Sequence, residues 1–165
     1  MIVRQPPTDA TPFRDHHDVS AFHHTGPGPA GAAYNQTAMT RPLQIFLVED
    51  SAEIREALTQ TLESAGQMSV VGYADNANDA IRALENQAID AAVIDLHLRE
   101  GSGLEVLAHL ARANPKNILR VVLTNHTAPM FRRASEKLGA DHFLDKSMEF
   151  ERAVEVLAQH AEHLT

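Results

Sequence analysis

Ala91-Ala92-Val93-Ile94-Asp95 is a short apolar run that ends in a carboxylate, and three other stretches repeat its design. Phe46-Leu47-Val48-Glu49-Asp50 ends in two acids. Val121-Val122-Leu123-Thr124 ends in a hydroxyl, and His142-Phe143-Leu144-Asp145-Lys146 ends in an ammonium. Runs of this length and composition read as buried strands. In an open α/β sheet the ligand site lies beyond the carboxyl ends of the parallel strands. Glu49, Asp50, Asp95, Thr124 and Lys146 are therefore expected to converge on one pocket.

The segments between these runs carry helical spacing. Leu43–Val48 is followed by Ser51 to Ala65, with Ile54, Leu58 and Leu62 in phase and Gly66 as the stop. Met68–Tyr73 reads as a second strand, and Ala77, Ala80, Ile81 and Leu84 as a helix. Ala91–Leu96 is the third strand, and Leu104, Leu107, Ala108 and Ala111 mark a helix that ends near Asn114-Pro115. Leu119–Thr124 precedes a helix from Pro129 to Leu138, stopped by Gly139. Asp141–Leu144 is a short fifth strand, and Phe150, Val154, Leu157 and Ala161 mark the last helix. Five βα units predict a doubly wound α/β fold, a five-stranded parallel sheet of order 2-1-3-4-5 in the flavodoxin-like (βα)5 class.

Residues 1–42 read differently. They hold six of the eight prolines, the pairs His16-His17 and His23-His24, and Gly26-Pro27-Gly28-Pro29-Ala30-Gly31. No period is legible there, so a disordered tail is expected, with Met39 as an alternative start. The His pairs read as part of that biased segment rather than as a metal site. The tail is neutral, so the whole net charge of −8 belongs to residues 43–165. That charge, without a Lys/Arg cluster, argues against direct nucleic-acid binding. The chain has no cysteine, which excludes disulfides, thiolate metal sites and thiol nucleophiles. No signal peptide or membrane-spanning run is readable, so no membrane insertion is expected and the default location is the cytoplasm.

Glu49, Asp50 and Asp95 would place three carboxylates together, which is unfavourable unless a cation shares them. A donor set of hard oxygens suits Mg²⁺. A carboxylate can attack phosphorus and form an aspartyl phosphate. Lys146 and the Thr124 hydroxyl can then neutralise the other phosphoryl oxygens.

With those residues in that order, residues 43–165 resemble the receiver domain of two-component response regulators. The resemblance implies that Asp95 accepts the phosphoryl group. It implies that Asp50 and Asp95 ligate Mg²⁺, with the backbone carbonyl of His97, and that Glu49 contributes through water. Thr124 and Phe143 match the family's pair that couples phosphorylation to the surface formed by the fourth helix, fifth strand and fifth helix. Gly103 matches the glycine after the phosphorylation loop. The implied partners are a sensor histidine kinase or histidine phosphotransfer protein and a downstream protein effector. The implied type is a stand-alone receiver that is not an enzyme and catalyses only its own phosphorylation and dephosphorylation. The alternatives are a relay intermediate that returns phosphate to histidine and a Mg-dependent doubly wound phosphatase. The second would favour an acid two residues after its nucleophile, where this chain has His97. A flavin module is disfavoured because Glu49-Asp50 would repel a phosphate.

Three positions depart from the family pattern. Ser147 follows Lys146 where the family has a cis proline, Arg99 stands where proline is common, and Asn125 follows Thr124. Without proline a cis bond costs roughly 2.5–4 kcal/mol, so the Lys146–Ser147 peptide is expected to be trans. Ser147 is also a candidate cap for the last helix, with Glu149 and Glu151 in its first turn.

Overall fold

The elements alternate as the sequence predicts. In chain order they are β1 (Ile2–Val3), β2 (Leu43–Val48), α1 (Ala52–Ser64), β3 (Met68–Ala74), α2 (Ala77–Asn86), β4 (Ala91–Ile94), α3 (Gly103–Ala113), β5 (Leu119–Thr124), α4 (Pro129–Lys137), β6 (His142–Asp145) and α5 (Phe150–His163). They come from a computed structural model that describes residues 2–3, 41–113 and 118–164. The sheet order is β1-β3-β2-β4-β5-β6. All pairings from β3 to β6 are parallel, so these five strands have the predicted order 2-1-3-4-5.

The expected tail of residues 1–42 departs from that reading at two points. Ile2–Val3 pairs antiparallel with the outer edge of β3, opposite Tyr73 and Gly72. Two residues are too few to show a period in the sequence, and the free edge of β3 supplies the pairing. Arg41 also belongs with the fold. Its guanidinium grips Asp90 at 2.6 and 2.7 Å. The rest of the tail, residues 4–40, including Met39 and the His pairs, lies outside the described residues.

Strand side chains point alternately to the two faces of the sheet. Phe46 and Val48 of β2 pack towards α2 and α3, against Ala80, Ala83, Leu107 and Leu110. Leu43, Ile45 and Leu47 pack towards α1 and α5, against Leu58, Leu62, Val156 and Leu157. The carboxyl ends of the central strands thus open between two filled layers. At the opposite end, Asp90 accepts from the Gln44 amide at 2.8 Å, and its own N–H and C=O bond to Gln44 and Leu119. It fixes the starts of β2, β4 and β5.

Ser51 caps α1 by accepting from the Ile54 amide at 3.4 Å, and Asn76 caps α2 through the Asp79 amide at 2.9 Å. Ser147 does not cap the last helix. Asp145 Oδ1 accepts from the amides of Ser147 and Met148 at 2.8 and 3.3 Å, which forms a turn and delays α5 to Phe150. The Ser147 hydroxyl instead meets Asn125 Oδ1 at 2.8 Å. No cis peptide bond occurs among the described residues, so Lys146–Ser147 is trans.

Candidate functional site

The sheet leaves Asp95 at the first position beyond β4. Its amide still donates to the Val48 carbonyl at 2.9 Å, so the backbone is held while the side chain reaches the Lys146 ammonium. Glu49 and Asp50 occupy the same station after β2. Carboxylate oxygens of Glu49, Asp50 and Asp95 lie within 4.8 Å of one another. Lys146 arrives from the end of β6, and its Nζ sits 2.6 Å from both Asp95 Oδ2 and Glu49 Oε2. The Lys146, Glu49 and Asp95 side chains are only 8%, 4% and 7% exposed, so these are buried ion pairs.

Burial pushes the Glu49 carboxyl above its ordinary range, although Lys146 and the Ser51 amide work against it. Burial alone would lower Lys146, but its hydrogen bonds to Asp95 and Glu49 outweigh that and raise it. Three carboxylates against one ammonium leave two negative charges in a cluster that presents only oxygen donors. That deficit and that donor set fit a divalent hard cation such as Mg²⁺. Glu49, Asp50 and Asp95 are the side chains that would hold it.

Thr124 is fully buried at the end of β5. Its carbonyl accepts from the Lys146 amide at 3.0 Å, which sets the two residues side by side. Its hydroxyl accepts from the His126 amide at 3.2 Å. Phe143 is not part of the acidic cluster. It is packed inward, with the Arg132 guanidinium 4.6 Å above its ring and donating to its carbonyl at 3.2 Å. The His97 amide donates to Asp95 Oδ1 at 3.2 Å. Gly103 has a visible reason: a Cβ there would lie 2.2 Å from the Asp95 carbonyl oxygen.

Arg55 and the Ser51 amide carry no mark in the sequence, whereas His97 and His126, two residues after Asp95 and Thr124, read there as exposed loop histidines flanking the expected pocket. Arg55 donates to the Glu49 carbonyl at 2.9 Å and lies 4.0 Å over the Tyr73 ring. The Ser51 amide donates to Glu49 Oε1 at 3.0 Å. The imidazoles of His97 and His126 stack at 5.1 Å and 19°, and Phe131 meets His126 edge-on. One Arg on a helix, or two His separated by 29 positions, looks like any solvated residue until the loops are brought together.

An open parallel sheet with an acid cluster and a bridging lysine at its carboxyl end defines the class as a doubly wound protein with a cation-suited acidic site. Residues 45–158 match the family model described as the response regulator receiver domain, and the chain belongs to that family. A protein-glutamate methylesterase/protein-glutamine glutaminase of Rhodospirillum centenum is 34% identical over 117 residues, covering 70% of this chain and 28% of that protein. A LuxR-family DNA-binding response regulator from Staphylococcus aureus superposes with a TM-score of 0.67 at 23% identity, covering 72% of this chain and 98% of that one. A response regulator from Burkholderia pseudomallei, solved with a phosphorylated aspartic acid, calcium ion and citrate, gives 0.63 at 24%, covering 74% and 70%. These two likenesses establish the fold.

The comparisons overturn one expectation. The family resemblance implied a protein that is not an enzyme, yet curated relatives that match are protein-glutamate methylesterase/protein-glutamine glutaminases. This chain spans 28–36% of the length of those four. In them the matched stretch is joined to a longer chain, unlike the stand-alone arrangement expected from the sequence. No described helix is long and apolar enough to cross a membrane.

Proposed function

We propose that Asp95 accepts a phosphoryl group from a histidine kinase or a histidine phosphotransfer protein, and that the acyl phosphate switches a protein-interaction surface. The observation that carries this reading is Lys146 Nζ at 2.6 Å from both Asp95 and Glu49 inside a cluster of three carboxylates. In the transfer, an Asp95 carboxylate oxygen bonds to phosphorus, the nitrogen–phosphorus bond of phosphohistidine breaks, and the histidine leaves with the bonding pair. The Lys146 ammonium follows the new charge from carboxylate to phosphoryl oxygen. The Thr124 hydroxyl, one residue beyond Leu123 on the same rim, donates to another. Asp50 and Asp95, with the His97 carbonyl, and Glu49 through water would hold Mg²⁺, and the ion would neutralise the remaining phosphoryl charge.

The switch is a shift between two populations, driven by contacts that Thr124 makes only with the phosphorylated acid. Thr124 leaving the His126 amide frees space along β5 and β6, and Phe143 and Arg132 respond on the face of α4, β6 and α5. The downstream partner is a protein that reads that face. A relay that returns phosphate to histidine uses the same acid site, and differs in whether the face moves.

The test is incubation with acetyl phosphate and Mg²⁺, followed by intact mass. A single acid-labile phosphoryl adduct is expected, and Asp95→Asn should abolish it. Phosphate release without an adduct would indicate a phosphatase, and an undiminished adduct on Asp95→Asn would sink the assignment. With beryllofluoride, amide shifts should be largest across residues 124–150; changes confined to the loops around Asp95 favour the relay.

A further inference from the structure

The outer edge of β3 carries a feature outside the family match. Ile2–Val3 adds to it as an antiparallel strand, whereas the matched residues begin at 45. A free sheet edge offers unpaired N–H and C=O groups that accept a strand. Helix α1 leaves this edge open. A groove of about 460 Å³ runs between them, lined by Arg55, Thr59, Val70, Gly72 and Tyr73 among others.

Tyr73, which pairs with Ile2, is also the platform for Arg55. The guanidinium lies 4.0 Å from the Tyr73 ring centroid and donates to the Glu49 carbonyl at 2.9 Å. Glu49 in turn holds the Ser51 amide and Lys146 through its carboxylate. Direct contacts therefore run from the added strand to the acid cluster without a gap. Arg55 is the joint: its flat fork serves the ring with one surface and the carbonyl with an edge N–H.

We propose that Ile2–Val3 is an edge clip, docked in cis on β3, that tunes divalent-cation binding at the acid cluster through Tyr73 and Arg55. Docking fixes the Tyr73 backbone and hence the platform under Arg55. Arg55 then holds the Glu49 carbonyl, and with it the loop that carries two of the three carboxylates. Undocking relaxes that loop and weakens the cation site. Coupling of this kind needs a contact made in one state and lost in the other, and the Ile2–Tyr73 pairing is that contact. The docking is independent of phosphorylation; only the tuning rests on the acid cluster being a cation site.

The test uses the full chain with Ile2→Pro/Val3→Pro, because proline cannot donate to a strand ladder. Amide exchange of β3 reads docking with no ligand present. Amide shifts of Glu49, Asp50 and Asp95 during a Mg²⁺ titration read tuning. In the variant, exchange at Gly72–Tyr73 should rise about tenfold and the Mg²⁺ Kd about threefold, within the range of through-structure coupling. On an Arg55→Ala background the prolines should leave the Kd unchanged, since the joint is gone. Unchanged exchange at Gly72–Tyr73 overturns the clip. Faster exchange with an unchanged Kd overturns the tuning. Protection in the parent that grows with protein concentration replaces the cis clip with strand exchange between copies. A parent that binds no Mg²⁺ overturns the tuning together with the acid-site reading, while exchange still decides the clip.

Discussion

Lys146 Nζ lies 2.6 Å from Asp95 Oδ2, joining the ends of two strands that are not neighbours in the sheet. The ammonium is shared with Glu49 at the same distance, so one positive charge serves two buried carboxylates. Its removal has two opposite consequences. Lys146→Met should tighten Mg²⁺ binding by about tenfold, because an uncompensated carboxylate attracts the ion more strongly. It should also slow phosphorylation by acetyl phosphate and destabilise the metal-free protein, since a buried pair is broken on one side. A Mg²⁺ titration and denaturation with and without Mg²⁺ check both; weaker Mg²⁺ binding would contradict the charge argument.

Glu49 gives a pH prediction. Its folded pKa is raised by burial, so the ionised carboxylate opposes folding. Protonation relieves that penalty: its effect is absent below the unfolded pKa of about 4.3 and grows as pH rises through the raised folded value. In metal-free buffer, Glu49→Gln should therefore gain stability relative to the parent at pH 7, and the gain should vanish towards pH 4. Urea unfolding at the two pH values measures it. A gain that is larger at pH 4 would reverse the sign and refute the argument.

Asp90 gives the opposite sign. The Arg41 hydrogen bond holds its carboxyl below the usual range, helped by the Gln44 amide. Its contribution is present above an unfolded pKa of about 3.9 and is lost as pH falls through the depressed folded value. Asp90→Ala should cost about 1–2 kcal/mol near neutrality, modest because Arg41 is largely exposed. Phosphorylation should be unaffected, since Asp90 lies at the other end of the strands. Thermal unfolding and adduct formation, measured on the same sample, separate the two.

Gly103 must lack a side chain. A Cβ would sit 2.2 Å from the Asp95 carbonyl oxygen and 2.9 Å from Ile94 Cγ2, and backbone cannot swing aside. Gly103→Ala should destabilise by about 1–3 kcal/mol and slow adduct formation, because relief displaces Asp95 or α3. A variant that unfolds like the parent and labels at the parent rate would show that the start of α3 gives way freely.

His97 and His126, two residues after Asp95 and Thr124, stack their rings at 5.1 Å, and on the proposed reading the pair would hinder water from reaching a phosphoryl group on Asp95. Removing both opens that path. His97→Ala/His126→Ala should hydrolyse its acyl phosphate several-fold faster, with each single variant in between. Decay of isolated phosphorylated protein gives the rates. Equal rates for all four proteins would make both histidines bystanders.

The sequence alone determined the alternation of strands and helices, the parallel order and the rim positions of Glu49, Asp50, Asp95, Thr124 and Lys146. Local periodicity and chain direction are enough for that: an apolar run of given length becomes a buried strand, and the residue after it must stand at the carboxyl edge. What tertiary structure decided was every partner chosen across loops. Ser147, expected to cap a helix, meets Asn125, because Asp145 forms the turn first. Phe143 lies under Arg132, and Arg55 reaches from the Tyr73 ring to the Glu49 carbonyl. Ile2–Val3 gained a strand only because β3 ends the sheet with an open edge. Such contacts depend on which side chains the closed fold happens to oppose, and no periodicity along the chain records that.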